Sequence, residues 1–341
     1  MKTDGINQVS MAAQIADAPH TPLRAGTVTC LPLGDQDVEL AVSACALCHS
    51  DLHLWAGDWR ASFPLVPGHE VVGRVTRVGS AVSGIHVGAR VGLGWQCGAC
   101  FACRECQQGE PHLCAKGKVR TCVDRPGGLA ERVIADHRFV YPLPATLSDE
   151  HAAPLLCAGL TVFAPLKRMA VRTGQHVAVV GFGGLGHLAV QFAVAMGAAV
   201  DAFDPEVSKT DDALRCGAQS LVDARSTLAL TALKNTYDLI LVTTPANLPW
   251  NDWLAMLKTG GTLCLVGVPS RPLTIDADHL LDGQKHVTGS VIGSPADMRA
   301  MLAFAAEHAI KPITEAMPMD AAAAAMARLA AGKARYRIVL K

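Results

Sequence analysis

Within six residues, Cys48-His49-Ser50-Asp51-Leu52-His53, the chain places a thiol, two imidazoles, a hydroxyl and a carboxylate. Gly68-His69-Glu70 adds another imidazole and carboxylate, and Cys157 sits in the apolar run Leu155-Leu156-Cys157-Ala158-Gly159. Two thiolates and one imidazole can hold Zn²⁺ and leave a fourth position for water or substrate. Taken singly, each has a plainer use: an isolated cysteine among apolar residues is usually a small buried side chain, and an isolated histidine a hydrogen-bonded core residue.

Five of the 12 cysteines fall between positions 97 and 114. Cys100, Cys103, Cys106 and Cys114 have the spacing of a closed tetrahedral zinc site, which would pin a lobe with little apolar core of its own. The register is not unique, because Cys97 continues the three-residue spacing and His112 lies nearby. The reading adopted ends at Cys106 and leaves Cys97 as a spare thiol.

A third motif, Gly181-Phe182-Gly183-Gly184-Leu185-Gly186, fits G-x-G-x-x-G. An apolar strand precedes it and a helix from about 185 to 196 follows, the context in which such glycines let backbone approach a pyrophosphate at a helix N-terminus. Asp204 ends the next strand, where a carboxylate can accept from the adenosine ribose. An ionised Asp204, with Glu206 two residues on, would repel a 2′-phosphate, and Lys209 is the nearby cation in sequence, so NAD is expected over NADP.

These motifs need two kinds of scaffold. Before about Pro144 the chain alternates in short β runs, such as Val38–Val42 and Val71–Val78, bounded by Gly and Pro. Little helical periodicity appears there, so a compact, irregular β-rich domain is expected. After Pro154 strand and helix alternate, with strands near 176–180, 199–203, 220–222, 237–242, 262–266 and 287–292, the pattern of a doubly wound parallel sheet in an α/β protein. Helices follow near 296–308 and 320–331, then a strand at 336–340. The expected division is a catalytic domain of 1–153 with 295–341, and a dinucleotide-binding domain of 154–294. A length of 341 residues suits two domains.

Half of the residues are apolar and 18% charged, which argues against disorder. Thirty basic and thirty acidic residues cancel, so the footprint of a general nucleic-acid binder is missing. No basic amphipathic run suggests a membrane surface. Glycines, His187 and Gln191 make Val177–Val200 a buried strand–turn–helix rather than a span. Met1-Lys2-Thr3-Asp4-Gly5 lacks the apolar core of a secretory signal. A cytoplasmic protein is therefore expected.

Together the six-residue cluster, Gly68-His69-Glu70, the cysteine lobe, Leu155–Gly159, the glycine loop, Val266-Gly267-Val268 and the ending Gly332-Lys333-Ala334-Arg335-Tyr336-Arg337 resemble the zinc-dependent alcohol dehydrogenases of the medium-chain dehydrogenase/reductase superfamily, in the branch of cinnamyl-alcohol dehydrogenases and aldehyde reductases. The resemblance spans essentially the whole chain and implies a chaperonin-10-like catalytic domain beside a Rossmann domain. It implies two zincs per chain: a catalytic one on Cys48, His69 and Cys157, with Glu70 adjacent, and a structural one on the four-cysteine lobe. By resemblance Asp51 supports His69, and Ser50 and His53 carry the alcohol proton outward. Thr161 and Val266–Val268 position the nicotinamide, Arg337 and His49 meet the pyrophosphate, and Trp55 and Trp95 line the substrate pocket. The activity implied is hydride transfer between a primary alcohol/aldehyde pair and a nicotinamide cofactor, NAD preferred. The alternative is an NADPH-dependent broad-specificity aldehyde reductase. A zinc-free quinone reductase on the same architecture would lack both zinc motifs. The apolar last strand of the dinucleotide sheet, 287–292, predicts pairing across a two-fold axis and a homodimer or homotetramer.

Overall fold

The computed structural model describes residues 10–341. Met1–Val9, on which the reading of the amino terminus rests, lie outside the described residues. The described residues divide into two compact units: those up to Cys157 together with Ile313–Lys341, and Ala158–Pro312.

The first unit is built on a sheet ordered Thr314–Met317, Arg337–Leu340, Asp37–Ala46, Glu70–Val78, Arg90–Leu93 and Val140–Pro142, with Arg132–Asp136 also paired to Asp37–Ala46. Alternating apolar residues of the long strands, among them Val38, Leu40, Val71, Val75 and Val91, are buried in one core with Leu129, Phe139 and Ile338. Two further ribbons pair Ser10–Ile15 with Arg24–Thr29 and Gln96–Gly98 with Val119–Arg120. The sequence pattern gave no sign of two helices here: His49–Ala56 carries the six-residue cluster, and Asp149–Pro154 leads to Cys157. Both are too short for an apolar stripe to show.

The second unit is an all-parallel sheet in the order Ser220–Asp223, Ala199–Asp204, His176–Val180, Tyr237–Val242, Leu257–Leu265 and His286–Gly289. In chain order that is 3-2-1-4-5-6, the doubly wound arrangement, whose reversal point follows the first strand. The central strand His176–Val180 is apolar and buried from Val177 to Val180, the pattern of a parallel strand covered on both faces.

The unit boundaries differ from the expected 153/154 and 294/295. The helix Pro295–Glu307 belongs with the second unit: Met298, Met301, Leu302 and Ala305 are buried, Phe304 packs against Phe163 and Phe192, and Asp297 pairs with Lys167 at 2.8 Å. The last strand is also shorter than 287–292. It ends at Gly289, whose carbonyl accepts from Arg168 Nη2 at 3.1 Å. The chain then turns through Ile292, at φ 37°, into a helix capped by Ser294 and Asp297. No helix among the described residues is long and apolar enough to cross a membrane.

Candidate active site

The strand Asp37–Ala46 runs out at Ala46, and two residues later Cys48 caps the helix His49–Ala56 from extended backbone. Asp51, fully buried at the third helical position, holds this turn: its Oδ2 accepts from the Cys48 N–H at 2.9 Å. Its Oδ1 accepts from the Gly68 N–H at 2.8 Å and from His69 Nδ1 at 2.9 Å. Gly68 stands at φ 100°, and a Cβ there would lie 2.6 Å from Cys45 Sγ, so only glycine lets this loop bring His69 in. One carboxylate thus fixes the backbone of Cys48, the backbone before His69 and the ring of His69.

Cys157 arrives by another route. Ser148 caps Asp149–Pro154, accepting from the His151 N–H at 3.2 Å. Pro154 cannot continue the hydrogen-bond ladder, and Leu155–Gly159 widens into a π turn that carries Cys157 inward. Ligand atoms of Cys48, His69, Glu70 and Cys157, all buried, come within 4.8 Å of one another.

With Nδ1 bonded to Asp51, the other ring nitrogen of His69, Nε2, is buried without a hydrogen-bond partner. Such an atom is costly unless something binds it. Facing two thiols and a carboxylate, it fits Zn²⁺ held by Cys48, His69 and Cys157. The hydrogen bond between Cys48 and Cys157 holds the Cys48 thiol well below the usual range, against burial, and with burial pushes Cys157 well above it, so one proton is held between the two sulfurs, where a metal would displace it. Burial weakens the charged form of His69, but the Asp51 and Cys157 charges and the Asp51 hydrogen bond lift it well above the ordinary value. Burial pushes Glu70 up to about 8, with the Arg337 charge working the other way. Arg337, expected at a pyrophosphate, is buried and bonds both Glu70 oxygens through Nη2.

From this buried cluster polar groups lead outward. Cys48 Sγ lies 3.9 Å from the Ser50 hydroxyl, and Ser50 and His53 are one helical turn apart on a shared face. His53 Nδ1 is 2.9 Å from Asp58 Oδ2, the side chains 36% and 59% exposed. Trp59 stacks on the His53 ring at 4.9 Å and meets Trp95 edge-on at 6.2 Å, and Trp95 stands edge-on to His69 at 4.9 Å. Trp55 is tied elsewhere by its indole N–H, which donates to the Thr21 carbonyl at 2.6 Å. His49 is exposed in the first turn.

In the lobe, Sγ atoms of Cys100 and Cys106, Cys103 and Cys114, and Cys114 and Cys100 are 3.9, 3.8 and 3.5 Å apart. A tetrahedron with metal–sulfur bonds of ~2.3 Å has edges of about 3.8 Å. Amide N–H groups of Ala102 and Cys103 point at Cys100 Sγ. Cys97 stands apart in the apolar core, its thiol 3.5 Å from the Val119 carbonyl.

In the second unit Gly181 is at φ 93°, and a Cβ on Gly186 would lie 1.8 Å from the Gly181 carbonyl oxygen. Both glycines are therefore obligatory for the turn into Gly186–Ala195, whose N-terminus lies beside Gly183, Gly184 and Leu185. Asp204 closes this loop: its Oδ2 accepts from the Phe182 N–H at 2.7 Å, and its Oδ1 accepts from the Glu206 N–H at 2.9 Å and Lys209 Nζ at 3.0 Å. Lys209 also pairs with Glu206 at 3.1 Å. Val266 and Gly267 both donate backbone N–H groups to the Val242 carbonyl, Val268 is exposed, and Thr161 is half-buried at the start of Leu160–Arg168.

Lys209, the nearby cation in sequence, is joined at this turn by a second one, Arg225. Arg225 Nη2 donates to the Pro205 carbonyl at 2.7 Å while its Nε bonds Asp223. Arg225 reaches the turn because Ser220–Asp223 pairs beside Ala199–Asp204, a neighbourhood that spacing along the chain does not reveal. Asp58 was likewise missed, although its place just beyond Gly57, which ends the helix, is a local signal. Cys122, set 3.6 Å from Asp51 Oδ1 by a distant loop, had no signal.

Residues 34–145 match the family described as Alcohol dehydrogenase GroES-like domain, and residues 184–307 match Zinc-binding dehydrogenase. An aldehyde reductase of Synechocystis sp. is 41% identical over 309 residues, 90% of this chain and 92% of the relative. An NADP-dependent alcohol dehydrogenase C of Mycolicibacterium smegmatis is 37% identical, covering 97% of each chain. Among solved structures, a cinnamyl alcohol dehydrogenase from Sorghum bicolor superposes with TM-score 0.93 at 36% identity over 97% of each chain. The corresponding Helicobacter pylori enzyme, complexed with NADP(H), gives 0.90 at 31% identity over 98% of each chain.

Proposed function

The chain belongs to the alcohol dehydrogenase family of the medium-chain dehydrogenase/reductase superfamily, and from that premise we propose that it is a zinc-dependent enzyme that interconverts primary alcohols and aldehydes with NAD as the preferred cofactor. The alcohol/aldehyde oxidoreductase activity follows from the family. The observation that carries the zinc reading is the buried, unpartnered His69 Nε2 beside Cys48, Glu70 and Cys157. When bound, the metal supplies Lewis-acid polarisation of the substrate oxygen, and the nicotinamide supplies the hydride acceptor or donor.

The chain's own residues do the rest. Cys48, His69 and Cys157 hold the metal, and Asp51 sets the tautomer of His69. Arg337 keeps the neighbouring Glu70 paired. Ser50 accepts the alcohol proton and His53, paired with Asp58, hands it to solvent. Trp95, with Trp59 against it, narrows the substrate side and favours unbranched or benzylic primary alcohols, while Trp55, packed on His20 and bonded to Thr21, stands apart from these rings. The glycine loop presents N–H groups at the start of Gly186–Ala195 to the pyrophosphate, with Thr161 and Val266–Val268 at the nicotinamide. Cys100, Cys103, Cys106 and Cys114 close the second zinc site. Reduced thiols in both donor sets suit a cytoplasmic protein. The edge strand His286–Gly289, with Val291 exposed beyond it, supports a homodimer or homotetramer.

NAD preference rests on Asp204, whose Oδ2 keeps one lone pair for a ribose hydroxyl while Oδ1 is taken by Glu206 and Lys209, and whose charge opposes a 2′-phosphate. The second reading, an NADPH-dependent aldehyde reductase, is favoured by Arg225 at the same turn. Metal analysis and an assay of a primary-alcohol panel with NAD and NADP test the whole. Two zincs per chain and alcohol-dependent NAD reduction are expected. One zinc or none in metal-replete protein would remove the two-site reading, and equal or higher kcat/KM with NADP would remove the role of Asp204.

A further inference from the structure

We propose that Cys122 is a positioning residue of the metal site, its thiol completing the set of donors that hold the Asp51 carboxylate against His69. Cys122 follows the ribbon Val119–Arg120, which begins just after the four-cysteine lobe. Arg120 and Asp124 clamp the turn that carries it: Asp124 Oδ2 accepts from the Arg120 N–H at 2.8 Å and from Arg120 Nε at 2.9 Å. Thr121 pins the other side, its N–H on the Trp95 carbonyl and its hydroxyl on the Gly94 carbonyl. Cys122 itself takes φ 60°, a left-handed conformation unusual for a residue with a Cβ.

That backbone aims a fully buried thiol at the carboxylate. Cys122 Sγ donates to Asp51 Oδ1 at 3.6 Å and lies 3.9 Å from His69 Nδ1. Asp51 then carries four donors: the Cys48 N–H on Oδ2, and the Gly68 N–H, His69 Nδ1 and the Cys122 thiol on Oδ1. Three of the four fall on Oδ1, which has two lone pairs, so the thiol adds a longer third contact there while Oδ2 keeps one site open. The contact matters in two ways. The carboxylate cannot rotate without giving up a donor, so the His69 ring stays aimed. The thiol also draws charge from the oxygen that His69 Nδ1 faces, which sets how basic the ring is at Nε2, its metal-facing atom. A small apolar filler at 122 would do neither.

The inference rests on the zinc reading of Cys48, His69 and Cys157, and the experiment separates the two. Zinc-loaded wild type, Cys122→Ala and Cys122→Ser are first assayed for metal, then mixed with a chromogenic chelator. Two release phases are expected in wild type, a faster one from the open site and a slower one from the lobe. Fewer than two zincs in wild type would remove the parent reading. With two zincs present, Cys122→Ala should speed the faster phase about 3- to 10-fold, the range of one ordinary hydrogen bond, and leave the slower phase unchanged. Cys122→Ser, which keeps a donor, should lie within about twofold of wild type. Cobalt substituted at the open site should show its absorption bands displaced in Cys122→Ala and restored in Cys122→Ser. An unchanged faster phase in Cys122→Ala would overturn the inference. So would equal acceleration of both phases, which marks general loosening, or a serine variant no better than alanine, which marks packing alone.

Discussion

The two donor clusters of the first unit are assembled in opposite ways. The lobe takes all four thiols from one stretch, Cys100 to Cys114, and its short helix Arg104–Gln107 buries nothing. The other cluster draws Cys48 from a strand–helix junction, His69 from a glycine turn and Cys157 from a π turn, all buried. In the lobe the donors come from one contiguous stretch, pinned to the unit by Phe101 against Phe139 and by the Gln96 side chain on the Pro111 carbonyl. In the buried cluster the fold is built first, and the donors are held by groups that touch no metal, Asp51 foremost. A site closed by four like donors suits stability. A site with mixed donors and three separate supports leaves room for substrate, because none of its supports depends on a fourth ligand.

The contrast breaks most visibly at Cys157. Cys157→Ala should abolish alcohol oxidation to the detection limit and leave about half the zinc, with the slowly exchanging portion intact and the melting temperature near that of wild type. Retention of both metals in that variant would show that Cys157 is only a core residue. The converse substitution is Cys106→Ser. It should cost the lobe's zinc and lower the melting temperature by about 5–10 °C, since a structural zinc contributes folding energy outright. The remaining activity of the folded fraction should stay within a few-fold of wild type. Unchanged metal and stability would move the lobe's register to include Cys97.

The same contrast explains what the sequence disclosed. Contiguous motifs were legible because their chemistry is local: the lobe's spacing and the glycine loop with its flanking strand and helix could be read directly. The grouping of Cys48 with His69 and Cys157 was not legible from spacing. It came from resemblance to a family, because a strand junction, a turn and a π bulge meet only through the sheet. Cys122 and Arg225 were invisible for the same reason, each reaching its partner from a loop 71 and 20 positions away in sequence. The helix Pro295–Glu307 was assigned to the wrong side because its buried methionines do not reveal which neighbours bury them.

Cofactor choice tests whether the second unit acts independently of both clusters. Asp204 is tied to the glycine loop and to Lys209, with Arg225 on the adjoining carbonyl. Like charges ~4 Å apart cost about 1 kcal/mol in water and several times that near a protein surface, so wild type should favour NAD about tenfold or more in kcat/KM. Asp204→Ser frees Lys209 and should bring the ratio close to one, and adding Pro205→Arg should reverse it. Arg225→Ala in wild type should widen the NAD preference by a few-fold. Zinc content should stay constant throughout. If it changed, the nucleotide end and the metal clusters would not be separable.

The smallest effect concerns the scaffold of the buried cluster. Asp149 ties together the elements that deliver two of its thiols: its Oδ2 accepts from Ser43 Oγ, on the strand that leads to Cys48, at 2.5 Å. Its Oδ1 accepts from Arg90 Nε at 2.6 Å, and Asp149 itself begins the helix before Cys157. Burial works against the charged carboxylate, but the Ser43 and Arg90 hydrogen bonds outweigh it and hold its pKa below the ordinary value. A carboxyl whose pKa is depressed on folding stabilises the protein above its unfolded value, about 4, and that contribution is lost as pH falls through the folded value. The pair is partly exposed, so solvent screening limits the tie to about 0.5–1 kcal/mol. Asp149→Asn should therefore lower the melting temperature by about 1–3 °C at neutral pH, with the gap to wild type closing as pH is taken down towards about 3. Zinc release from the open site should quicken slightly and that from the lobe not at all. A gap in melting temperature that stayed the same across this range would mean that Asp149 acts through shape and not through its charge. Equal quickening at both sites would mean that the lobe leans on the same scaffold, and the contrast between the two clusters would not hold.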